Sequence, residues 1–414
     1  MTVQAPPLVA RARLWPLATG TFSIGFGSYV MAGLVPTVSA DLGVPVTQVG
    51  GLVSVYGFTY AITTPLLALA LHRLPRRLLM CLALAGFALT AVATALVTTY
   101  TAVAVLRGLS AVAAGGFTPT ATVLAARLAP PGGRGRAVAT VFGGLTTATV
   151  LGAPAGNLLG PVLGYRGVYA LVAVLALIAL GSVLWLVRPP GSAPAAEPPA
   201  GRVAAPAADV AGGEPVPVGA APGIGPALPV LIAATLLVSM LETASALMVQ
   251  TYAAPMLTDL AGITGVVLSA VLLAYGLAGV AGNVVGGRLA DRFGAARSIV
   301  LALGTSAVAL ALLTPATGSP ITAAAVFALW GFAAWAMNSP LQNVLLALSG
   351  RHGQLVVALN SSLISLGTAV GALAGGWVIA GAGYRWLGGA AAGLMVLAVL
   401  LVAVLGRRPA VRAV

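Results

Sequence analysis

Two ionisable side chains lie deep inside apolar runs of this sequence, Arg107 in LRGLSAVAAGG and Glu242 in SMLETASA. Each such group costs roughly 2.5 to 3.5 kcal/mol at the centre of a membrane-spanning helix, so a merely decorative role is disfavoured. A carboxyl group in that setting can take up and release a proton, and a guanidinium that approaches it can bias the exchange. Glu242 is the acid in the middle of a run and Arg107 the base within one, which assigns the pair to proton coupling, against the plainer reading of a structural hydrogen-bonded pair. Ser110 and Thr118 follow Arg107 on a similar helical face, where their hydroxyls either meet a ligand or bond back to their own helix. Trp335, Asn338 and Gln342 are spaced by three and four, and hence share a face. An aromatic beside two amides suits an amphipathic ligand, with interhelical hydrogen bonding as the alternative. These five residues are the candidate substrate cavity.

The elements that must position them follow from composition. The 414 residues are 59% hydrophobic with only 7% charged, which no water-soluble domain matches. A bilayer core needs about 20 apolar residues per helix. Twelve runs of that order occur, at 14–35, 46–70, 78–97, 101–126, 137–159, 166–187, 228–251, 265–290, 297–314, 321–347, 358–380 and 386–405. They lack the ten-residue alternation of a membrane β-barrel. The expected class is an all-α membrane protein of twelve transmembrane helices.

The net charge of +13 comes entirely from arginine among the basic residues. With a cytoplasmic N-terminus, Arg166 and Arg385 fall outside and Arg107 within a span, leaving seventeen of the twenty arginines at cytoplasmic ends. That asymmetry predicts both termini in the cytoplasm and contact with anionic membrane lipid, with no nucleic-acid partner. The basic N-terminal stretch is followed by too many further runs for a cleaved signal peptide. Cys81 is single, and His72 and His352 lie far apart in loops, so no metal site and no cofactor are expected.

Between the sixth and seventh runs, residues 188–226 hold ten of the chain's twenty-eight prolines and three of its seven acids. Such a segment has too little apolar surface to offset its ordering entropy and reads as a disordered cytoplasmic linker. It separates six-helix bundles over 1–187 and 227–414. Landmarks recur across it at one offset. Tyr56-Gly57 returns as Tyr275-Gly276, Arg73 as Arg292, and GYR at 164–166 as GYR at 383–385; 275 − 56, 292 − 73 and 383 − 164 all equal 219. The constant spacing indicates an internal repeat, and parallel repeats of this kind place a transport site at their interface near the midplane.

The stretch GGRLADRFGAAR at 286–297 resembles the loop signature of the major facilitator superfamily. LRGLSAVAAGG is similar to that superfamily's arginine motif on the fourth helix, and GGLTTATVLGAPAG at 143–156 to the glycine-proline motif of its antiporters. The resemblance covers the chain apart from 188–226 and is closest to drug-proton antiporters and arabinose-efflux-like permeases. It implies that helices one, four, seven and ten line a central cavity, so that Arg107 and Glu242 both face it. It implies conformational gating by Asp291 and Arg292, by the equivalent Arg73, and by Gly152, Pro154 and Gly156, whose bland reading is close packing with a local bend. Capping of a helix is the bland reading of Asp291. His72 stands where the family usually has aspartate, and Ser28 where related exporters often carry an acid.

Together these readings predict a monomeric, proton-driven exporter of small amphipathic organic molecules in the inner (plasma) membrane. An importer of sugars or metabolites is the alternative, though the first helix has no acid or amide in its span. A membrane-embedded enzyme would need clustered acids, histidines or a nucleophile with its base, none of which appears. No charge ring or filter-like loop suggests a channel.

Overall fold

A computed structural model describes residues 14–71, 74–129, 133–186, 228–349 and 353–405. The predicted linker at 188–226 and residues His72, Arg73, Arg351 and His352 fall outside them. The described chain is helical throughout. α1 is Trp15–Leu42, α2 Val46–Ala70, α3 Arg76–Leu96 and α4 Tyr100–Leu128. One continuous run, Arg134–Leu186, reverses at Gly164 (φ 62°, ψ 171°) and so supplies two passes, α5 at 134–163 and α6 at 165–186. After the linker come α7 Leu228–Gln250, α8 Gly265–Phe293 and α9 Ala295–Ala311. α10 consists of Pro320–Ala336 continued by Asn338–Ser349, α11 is Gly353–Ala382 and α12 Leu387–Leu405.

Among the described residues nine helices are long and apolar enough to cross a membrane by length and composition, the Arg134–Leu186 run counting as one of them. Ala295–Ala311 is shorter and equally apolar in character. The helices are apolar around their whole circumference because lipid or protein covers every face. Their hydroxyls spend hydrogen bonds on the preceding turn, as Thr63 does on the Thr59 carbonyl (2.7 Å) and Thr235 on that of Leu231 (2.8 Å). Thr99 and Ser319 cap α4 and α10 through their side-chain oxygens.

The helices share two ends. At the near end, α2 turns into α3, α8 into α9, and residues 186 and 228 flank the linker. At the far end lie the α1–α2 turn, Gly164, the short helix Ala253–Ala261 and the turn into α12.

Two buried cores result. One is built from residues between Leu17 and Val183 with Ala372, the other from residues between Leu231 and Val402. The repeat offset recurs in backbone conformation. Gly43 and Gly262, both left-handed at φ 64° and 62°, end α1 and the helix after α7, and Gly164 matches Gly383 at φ 81°. Ser39 donates to the Val44 carbonyl (2.6 Å) as Thr258 does to that of Ile263 (3.1 Å). All four correspondences differ by the same 219 residues, as in 262 − 43 and 258 − 39.

Two expected boundaries move. α1 continues to Leu42, well beyond the run at 14–35, because Pro36 is accommodated inside the helix and only Gly43 ends it. Asp41 thereby enters a helix, and its Oδ2 accepts from the Tyr165 amide at 3.4 Å. α8 continues to Phe293, because the stop is supplied by Gly294 at φ 85°.

Candidate functional site

Arg107 occupies a buried position on α4, 2% exposed. Its Nη1 donates to the Gly27 carbonyl of α1 (3.0 Å) and to the Tyr169 hydroxyl of α6 (3.3 Å). Its Cζ lies 4.5 Å from the centre of the Tyr56 ring. Carbonyl dipole, phenol and aromatic face together replace the water that the cation has lost. Nε has no partner. Beside it is a small cavity lined by Gly27, Thr90, Thr94, Arg107, Ser110 and Tyr169 among others. Ser110 therefore lies within the N-terminal bundle with Arg107, and its hydroxyl donates to the Arg107 carbonyl (2.8 Å).

Tyr56 is joined to Ser28 of α1. The Ser28 and Tyr56 hydroxyls share a hydrogen bond of 2.7 Å, and the Tyr56 ring stacks on Tyr60 at 6.2 Å. Thr118 sits within hydrogen-bonding reach of Tyr60. The wall presented by the N-terminal half is thus phenolic, with the cation held behind it.

Glu242 lies on α7 in the second half. It is 9% exposed, and its Oε2 accepts from the hydroxyl of Thr243 at 3.3 Å. Tyr275 on α8 is a neighbour of Glu242 and Tyr29 and lies within hydrogen-bonding reach of Trp335. The Tyr275 ring also stands 4.5 Å from that of Trp330. Gly279 makes room for Trp335: a methyl group there would lie 2.9 Å from the indole Cδ1. In the first half the equivalent position, 279 − 219, is Tyr60, so each half builds an aromatic pair by a different route.

The structure keeps Arg107 and Glu242 apart. Each has its own partners in its own half, with no ion pair between them. Trp335 precedes and Asn338 and Gln342 follow a one-residue interruption of α10 at Met337 (φ −81°, ψ −18°). All three are partly buried, and among the described residues the two amides have no side-chain hydrogen bond.

Asp291 and Arg292 are exposed in the last turn of α8. Asp291 makes no ion pair among the described residues and caps no helix, since the residue that precedes α9 is Gly294. Arg292 instead lies 5.4 Å over the ring of Phe293. Arg73 is outside the described residues. Pro154 lies inside α5, and the non-helical residue of the run is Gly164. Gly152 and Gly156 serve packing, where added methyl groups would run into the α1 backbone at Tyr29, Val30 and Gly33.

Sequence reasoning missed Asn360 on α11, which is 1% exposed with neither side-chain polar atom partnered. It also missed the polar seam at the far end described below. An amide in a long apolar run was the available signal for Asn360 and for Asn157. Among the described residues no group of three or more His, Cys, Asp or Glu could hold a metal ion.

The halves meet at the far end and through the middle. Asn157 of α5 donates to the Gly265 carbonyl and the Ser269 hydroxyl of α8, and Ser54 of α2 to the Ala369 carbonyl of α11 (2.8 Å). Gly57 fits against Ser365 and Ala369, and Gly276 against Val150. These last two contacts are related by the repeat, since 369 − 150 also equals 219. In the near third no hydrogen bond joins the halves among the described residues.

The model of the Major Facilitator Superfamily matches residues 17–252 and 231–414. The inner membrane transport protein YdhP of Escherichia coli (strain K12) is 30% identical over 398 residues, covering 94% of this chain and 95% of that protein. A chloramphenicol resistance protein of Streptomyces lividans is 34% identical over 392 residues, covering 94% and 88%. A crystal structure of a bacterial homolog of the human lysosomal transporter Spinster, inward-facing and occupied, superposes with a TM-score of 0.73 at 17% identity and 98% coverage of both chains. Two buried cores related by one repeat agree with that match: the chain belongs to the major facilitator superfamily and is a multi-pass membrane transporter, not an enzyme.

Proposed function

We propose that this protein is a proton-coupled exporter of small amphipathic organic molecules, working by alternating access in the inner membrane with both termini cytoplasmic. Glu242 carries the reading. It is a carboxyl group in the middle of a membrane helix, bonded to one neighbouring hydroxyl and facing Tyr275, with no cation paired to it among the described residues. A group so placed is retained in a bilayer because it exchanges a proton during the cycle. The substrate is received between Tyr56 and Tyr60 on one side and Tyr275 and Trp335 on the other, with Thr118, Asn338 and Gln342 supplying polar contacts. The name of the Streptomyces lividans relative supports export of such a molecule.

The energetics fit one proton per cycle for a neutral substrate. A charge moving down 100 mV yields about 2.3 kcal/mol, enough for roughly a fifty-fold gradient at about 1.4 kcal/mol per decade. We expect Glu242→Gln to abolish uphill transport of labelled chloramphenicol by proteoliposomes under a proton gradient while leaving downhill exchange largely intact. Uphill transport by that variant at the normal rate would place the coupling site elsewhere.

A further inference from the structure

The two seams that close the far end are equivalent under the repeat and yet chemically different. At the α5–α8 seam, Asn157 Nδ2 donates to the Gly265 carbonyl (2.9 Å) and to Ser269 Oγ (2.8 Å), and Ser269 donates back to the Pro154 carbonyl (3.2 Å). One amide therefore closes a ring of hydrogen bonds between the halves. The equivalents of Asn157 and Ser269 are Gly376 and Gly50, at 157 + 219 and 269 − 219. At this second seam the fully buried Tyr252, from the end of α7, puts its phenol into the space these glycines leave. Its hydroxyl donates to the Ala372 carbonyl (2.9 Å). A methyl group at Gly50 would overlap the Tyr252 hydroxyl and ring Cζ, and one at Gly376 would lie 2.8 Å from the hydroxyl oxygen.

We infer that Asn157 is a latch and the Tyr252 phenol a plug, and that these two neutral devices set how often the far end opens. Both act between halves: Asn157 and Gly50 belong to the first, Ser269 and Tyr252 to the second. Both contacts must break when the far end opens. Neither involves an ionised group, so the equilibrium they control is insensitive to salt, unlike one held by the exposed charges of the near end. The plug tolerates no side chain at Gly50, because an added methyl group would overlap the phenol of a fully buried tyrosine in a close-packed setting.

The test is pulsed electron-electron resonance on the full chain in nanodiscs, with spin labels at Leu96 and Ile321. These are exposed far-end positions, one in each half. The unmodified pair should give mainly the short distance in both low and high salt. Asn157→Ala and Gly50→Ala should each raise the long-distance population at least five-fold. Tyr252→Leu combined with Gly50→Ala should restore the short distance, since leucine removes both atoms that overlap the new methyl group. Tyr252→Phe combined with Gly50→Ala should not, because ring Cζ remains. Gly181→Ala, where a methyl group meets nothing within 4 Å, should leave the distances unchanged. Wild-type distances in both Asn157→Ala and Gly50→Ala, or rescue by phenylalanine equal to that by leucine, would overturn the inference. Asn157→Ala removes no packing volume from a core and keeps the test open if Gly50→Ala fails to fold.

Discussion

Arg107 and Glu242 look alike in sequence, as single ionisable residues in apolar helices, and the structure gives them different employment. Arg107 is surrounded: a carbonyl, a phenol and an aromatic face belong to it, all within its own half. Glu242 has one neighbouring hydroxyl and a tyrosine across from it. The physical expectation is that Arg107 fastens α1, α4 and α6 together while Glu242 remains available for a proton. Hydrogen bonds to a charged group contribute roughly 1.5 to 3 kcal/mol each, so Arg107→Ala should lower the thermal unfolding midpoint markedly in detergent. Arg107→Lys should recover little, since an ammonium cannot both bridge Gly27 to Tyr169 and lie flat on Tyr56. Neither variant should move the pH dependence of exchange. A pH profile displaced by Arg107→Ala with an unchanged unfolding midpoint would instead tie the guanidinium to the proton step. The sequence made the importance of both residues legible through the cost of burying them. Their partners were invisible there, because Gly27 offers only its backbone and Tyr169 sits sixty residues away on another helix.

At the scale of the element, the α1–α5 contact shows what a glycine pattern does and does not disclose. GAPAG inside an apolar helix signals close approach, and the structure places Val30 and Gly33 of α1 directly on Gly156. The repeat makes the same contact again, with Gly371 and Gly375 of α11 against Ala244 and Met248 of α7 and Tyr252 just beyond it. Overpacking of a close contact costs about 1 to 3 kcal/mol, and more where backbone would have to move. Gly156→Leu should therefore destabilise the protein by at least that amount, read as lost folded yield and a lowered unfolding midpoint. Gly143→Leu, with nothing within 4 Å of an added methyl group, should be tolerated. The partner helix could not be read from the sequence, since a bare glycine says that something comes close without saying what. Helix ends were less legible still. The apolar run at 14–35 stops short of Pro36, which the helix accommodates, whereas the glycines at 43 and 294, with positive φ, set the true ends.

For the whole molecule, the class and the two-fold repeat were open to inspection, because a bilayer demands apolar length and the offset of 219 survives in residues as plain as GYR. The state of the molecule was not, since both states share one sequence and differ only in which end is sealed. Here the far end is sealed by Asn157, Ser269 and Tyr252, and the near end, with Asp291 and Arg292 exposed, carries no hydrogen bond between the halves among the described residues. The seal lies in neutral groups, at the end opposite Asp291 and Arg292. Each half has its own continuous core, and packed cores move as units before they deform. Opening at the far end should then be geometrically coupled to closing at the near end. Spin labels at Arg136 and Arg297, exposed near-end positions of the two halves, report the second movement, and the pair at Leu96 and Ile321 reports the first. In one series of conditions, adding substrate or changing pH, the near-end distance should shorten in proportion to the population in which the far-end distance lengthens. The same reciprocity should appear without substrate when Asn157→Ala shifts the balance. A far end that opens while the Arg136 to Arg297 distance stays fixed would show local fraying of the seal rather than rocking of two rigid halves.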